Sequence, residues 1–119
     1  MAVLDLSPKR QDVKWTRGDT WQLRFTFLDT NDNPLDLTGS TWLVQAREGG
    51  PDGTLFGTFA VNSSQQASGY IDISLAATTT DDAVPGDVYW YDVQQTRSGE
   101  VATPVNGKIT VVADVSRTP

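Results

Sequence analysis

The chain contains neither cysteine nor histidine. Without cysteine there is no disulfide frame and no thiolate metal site, so stability must come from packing, and a reducing cytosol is a compatible place of synthesis. Without histidine the chain lacks the usual general base near neutral pH, the usual partner of a serine nucleophile and the commonest metal ligand. Basic residues are few: 9 Lys and Arg stand against 15 Asp and Glu, a net charge of -6. Such a surface repels phosphate backbones, and no nucleic-acid partner is expected. Long apolar runs are missing as well. No stretch approaches the roughly 18 residues that span a bilayer, so no membrane partner is expected. The opening residues, Met1 to Arg10, set an acid ahead of the bases and lack the apolar run of about 7 residues of a secretory signal.

What is present suits one small domain of 119 residues, with four Trp, four Phe and three Tyr to fill a core. Over residues 20–28, Trp21, Leu23, Phe25 and Phe27 alternate with Gln22, Arg24 and Thr26, the period of a half-buried strand. Residues 29–34 then supply turn formers. A second alternating run covers residues 41–47, with Trp42, Val44 and Ala46 on one face. A third, 55–61, is interrupted by Gly57 and predicts a bulge or an edge. Residues 70–75 alternate cleanly, and further strands are predicted at 88–96, 101–104 and 107–112. Residues 76–84 predict one or two helical turns, capped by a threonine and stopped before Pro85. About seven short strands with turns between them and one short helical connector predict an all-β, Ig-like β-sandwich over residues 15–113, with residues 1–14 as an N-terminal arm and 114–119 as a C-terminal tail.

Candidate chemistry is sparse. Most carboxylates fall in turns or at outward strand positions, where solvated charge is the expected reading. Asp29, Asn31 and Asn33 copy the oxygen spacing of a calcium loop, but Pro34 replaces the glycine of its sixth position and Ser40 the glutamate of its twelfth. A hairpin turn is the expectation there. Gly49, Gly50 and Gly53 read as turn glycines, since no helix pattern follows them to build a phosphate loop. Arg17-Gly18-Asp19 matches an adhesion tripeptide, yet it abuts a strand rich in aromatics; Gly18 is expected to supply an unusual backbone angle at the strand entrance, with Asp19 bonding nearby amides. No catalytic residue, cofactor or metal ligand is assigned.

The aromatics divide by phase. Trp21 and Trp42 fall at core positions, while Tyr89, Tyr91 and Val93 share one face and leave Trp90 on the other with Asp92 and Gln94. Trp90 is then covered by the arm or a neighbouring subunit, or is an exposed platform; Trp15 is the second interface candidate. Leu4, Leu6 and Val13 complete the set, as apolar residues in an arm without periodicity of its own.

Arg17-Gly18-Asp19-Thr20-Trp21, Asp36-Leu37-Thr38-Gly39, residues 69–75, Pro85-Gly86 with Tyr91-Asp92-Val93, and residues 107–111 occur in one order. In that order the chain resembles the small β-sandwich virion proteins of tailed bacteriophages, including the N-terminal domain of phage baseplate upper proteins, from about Arg17 to Arg117. The resemblance implies a non-enzymatic structural subunit, a decoration or adaptor protein on the capsid, neck, tail or baseplate. It would be made in the bacterial host cytoplasm, be present in many copies or as a homo-oligomer, and have other virion proteins as partners. The alternative expectation is a carbohydrate-binding or adhesive module that stacks sugars on Trp90 and Trp15.

Overall fold

The computed structural model describes residues 9–115 and shows an Ig-like β-sandwich of two sheets. In chain order its strands are β1 (Lys9–Arg10), β2 (Val13–Thr16), β3 (Trp21–Thr26), β4 (Thr41–Glu48), β5 (Thr54–Thr58), β6 (Ala60–Asn62), β7 (Tyr70–Leu75), β8 (Val88–Arg97) and β9 (Glu100–Val112). The larger sheet runs β1-β9-β8-β4-β5, with β2 also paired to β9; the smaller runs β3-β7-β6. β1 and β2 lie parallel to β9, and the other neighbours are antiparallel. This order matches the Ig arrangement, a sheet of A′, G, F, C and C′ packed on one of B, E and D.

Alternation places Trp21 and Phe25 of β3 and Ile71, Ile73 and Leu75 of β7 against Val44, Tyr89, Val93 and Ile109 of the larger sheet, all buried. Trp21 is fully enclosed, and its indole N–H donates to the Thr16 carbonyl at 2.8 Å, so the polar edge of the largest core side chain is satisfied. Tyr89, near the start of β8, reaches back the same way. Its hydroxyl accepts from the Val84 N–H at 2.8 Å and donates to Glu48 Oε2 at 2.9 Å, the tyrosine corner of Ig-like sandwiches.

The structure differs from the sequence reading at several places. Residues 9–14 belong to the sandwich, because β1 and β2 continue the larger sheet along β9. The candidate strand at 55–61 divides: β5 forms the edge of the larger sheet beside a register slip at Ala46/Arg47, Phe59 is buried at the crossing, and β6 joins the smaller sheet. The strands predicted at 101–104 and 107–112 are one, since Asn106 and Gly107 pair with Asp92 and Tyr91 instead of turning. The helical connector is a single turn, α1 (Ala77–Thr80), that follows Ala76 and has no side-chain cap at its start. Thr80 at its end donates instead to the Asp19 carbonyl at 2.6 Å, tying α1 to the entrance of β3. A 3-10 turn at Gln66–Ser68 was not expected; the Gln66 side chain accepts from the Trp42 indole at 2.8 Å.

Candidate interaction surface

The outward positions of the larger sheet come together through its register. One row crosses it as Arg10, Asn106, Asp92, Gln45 and Thr58, each opposite the next. The adjacent row runs Lys108, Trp90, Arg47 and Leu55. Trp90 therefore stands between two cations, and the Arg10 guanidinium adds a third at 5.0 Å from its ring centroid, within cation–π range. Beside it lies a groove of about 390 Å³, with Leu43 left 42% exposed on its wall.

Arg10 is held there by the break between β1 and β2. The Gln11 N–H donates to the Asn106 carbonyl at 2.8 Å, and the Tyr91 hydroxyl donates to the Gln11 carbonyl. Asp12 Oδ1 takes the place of a ladder carbonyl by accepting from the Lys108 N–H at 2.9 Å, and it also accepts from Arg10 Nε at 2.9 Å. The Lys108 amide first, and Arg10 second, lower the Asp12 pKa. Arg47 donates to the Gly53 carbonyl at 3.1 Å, one of five donors that a guanidinium carries. The Asp92 carboxyl is crowded enough by its surroundings that lost hydration raises its pKa, against the opposing pull of Arg47.

Arg10, Lys14, Arg47 and Lys108 thus project from this face against Asp92 and, at its margin, Asp12, on a chain whose net charge is -6. The smaller sheet presents a closed pair instead: Arg24 forks onto both Asp72 oxygens at 2.7 and 3.1 Å and covers Tyr70. An aromatic and aliphatic surface rimmed by cations suits an anionic, partly apolar partner.

Of the interface candidates among the described residues, Trp90 alone lies on this face. Val13 and Trp15 pair with buried Ile109 and Val111 and point inward; Trp15 stacks on Trp21 at 5.3 Å and 14°. Leu4 and Leu6 lie outside the described residues. The surface residues Leu43, Gln45 and Arg47 were legible as the outward phase of the second alternating run; Arg10, from the segment read as an arm, lies over Trp90 as one of its alternatives had it, though nothing in the sequence singles out Arg10.

Arg17-Gly18-Asp19 forms the crossing from β2 to β3. Gly18 has a φ of +85°, as the strand entrance requires, and Arg17 Nε donates to Asp114 at 2.8 Å. The bonds at Asp19 are made by its main chain, to Thr16 and Thr80, rather than by its carboxylate. At the calcium-like loop, Asp29 Oδ1 accepts from the Asn31 and Asn33 amides at 2.8 and 3.0 Å, an Asx-type turn. Among the described residues, no group of three or more acidic side chains is arranged to hold a metal ion.

No protein-family model and no curated protein matches the chain. Similar solved structures include the filamin domain of Lin-41, at 15% identity over 83% of this chain and 82% of that one, with a TM-score of 0.45. A chicken TCR is similar at 11% identity over 91% of this chain, with a TM-score of 0.47; the match spans 56% of the TCR chain.

Proposed function

We propose that the chain is a non-enzymatic structural subunit of a tailed-bacteriophage virion. It is a decoration or adaptor protein, made in the host cytoplasm and held to capsid, neck, tail or baseplate proteins through the outer face of its larger sheet. The observation that carries this reading is Trp90 ringed by Arg10, Arg47 and Lys108, with Leu43 exposed on the wall of the same groove. Trp and Arg are the residues that most often anchor protein interfaces, and a rim of charge sets orientation and partner choice. The resemblance to phage sandwich proteins supplies the setting.

The same geometry favours a protein partner over a sugar. Stacking a pyranose on Trp90 needs a ring face that Arg10 covers, and the second platform of the carbohydrate reading, Trp15, is stacked on Trp21 instead. The test is to supply the Arg47→Glu chain in place of the wild type during phage growth. Incorporation into particles is expected to fall about tenfold or more, as for loss of an interface anchor. Unchanged incorporation would contradict this use of the face.

A further inference from the structure

The end of the sandwich that carries α1 has the opposite character to the groove. Asp19, Asp81, Asp82 and Asp87 are all exposed there, around a Val84 that is 48% exposed. Arg17, two residues before Asp19, is committed to Asp114. Of the acids in other turns, Asp29 is bonded by turn amides, and Asp36 by both the amide and the hydroxyl of Thr38. Exposed carboxylates around an apolar side chain are the complement of the cations around Trp90.

From this complementarity we infer that the groove on the outer face of the larger sheet receives the acidic 81–87 loop of a second copy. Val84 sets against Leu43 and Trp90, with the loop carboxylates facing Arg47, Lys108 and Arg10. The inference rests on the multi-copy virion reading and takes the partner at this groove to be another copy of the chain within the particle, leaving the rest of the outer face to other virion proteins. The two patches differ, so each single contact leaves one groove and one loop unused. Taken up by further copies head-to-tail, they make a ring or a filament; closed reciprocally on each other, they would make a two-fold dimer, the outcome that association beyond a dimer excludes. Its charged rim makes the contact weaken as salt rises.

The experiment is sedimentation of the full chain at low salt, up to about 1 mM, which registers millimolar dissociation constants. Two variants accompany it: Arg47→Glu in the groove, and Asp82→Lys/Asp87→Lys in the loop, each with a thermal unfolding curve to show that it folds. Wild type is expected to associate beyond a dimer as concentration rises, and each variant alone to weaken association about tenfold or more. An equimolar mixture of the two is also informative, because the groove of the loop variant and the loop of the groove variant are both intact. The contact between those two intact surfaces keeps wild-type charge, so the mixture should associate more tightly than either variant alone. Variants that associate like wild type, a mixture that stays monomeric, or a wild-type chain that stays monomeric and binds only a glycan or another protein would each overturn the inference. In that last case the chain could still be found in particles, so the virion reading stands or falls separately on particle composition.

Discussion

A Cβ on Gly107 would collide with the carbonyl oxygen of Gln11. The missing side chain lets the break between β1 and β2 close onto β9, and that approach carries Arg10 over Trp90. Gly107→Ala is therefore expected to push residues 10–12 off the sheet, at roughly the 1–3 kcal/mol typical of overpacking. Amide exchange at Gln11 and Lys108 should speed up together. Unchanged exchange at both would show that the approach is not needed.

Trp21 and Trp90 should separate stability from assembly. Trp21 is fully buried against Trp15 and Phe56, so Trp21→Ala is expected to cost about 3–5 kcal/mol in chemical unfolding. Trp90 is half-buried on the outer face, and Trp90→Ala should shift stability by no more than about 1 kcal/mol while reducing particle incorporation. Equal losses of stability would place Trp90 in the core instead.

The Tyr89 hydroxyl closes the corner above β8, and Tyr89→Phe leaves the Val84 N–H and Glu48 without it, an expected loss of roughly 1–3 kcal/mol. Burial is the main cause that pushes its pKa from 10.0 up to about 12. The unfolded chain then ionises first, so this contribution is complete below pH 10 and is lost as pH rises towards 12. Unfolding midpoints across that window should decline more steeply for wild type than for Tyr89→Phe.

Asp12 and Asp92 should respond to acid in opposite senses. The Asp12 pKa is lowered, so its contribution is present above the unfolded carboxyl value of 3.8 and is lost as pH falls through the lower folded value. Asp12→Asn should flatten the acid limb of stability. The Asp92 pKa is raised, so keeping it charged opposes folding at neutral pH, and protonation on acidification relieves that cost. Asp92→Asn is expected to raise the melting temperature at pH 7, with the gain disappearing below pH 3.8. A lower melting temperature at neutral pH would mean that Arg47 outweighs lost hydration.

How much was legible in the sequence depended on where each strand's partner lay. The run at 70–75 is strand β7 residue for residue, and the facing of Trp90 followed from alternation, because these strands are antiparallel and bury one face. β1 and the first two residues of β2 were read as an arm. They pair in parallel with a strand nearly the whole chain away, and their two inward residues, Val13 and Trp15, are too few to show a period. The threonine cap failed because Thr80 bonds across to Asp19, a tertiary contact with no local signature. The groove was half visible for the same reason. Leu43 and Arg47 share a strand phase, but Arg10 reaches Trp90 only through Gly107 and Gln11.

The most direct test of the proposed virion role is quantitative mass spectrometry of phage particles purified from the chain's source, calibrated against the major capsid protein. A fixed stoichiometric ratio, retained after high-salt washing and lost in the Arg47→Glu variant, is the predicted result. A chain abundant in the lysate but absent from particles would contradict the virion reading.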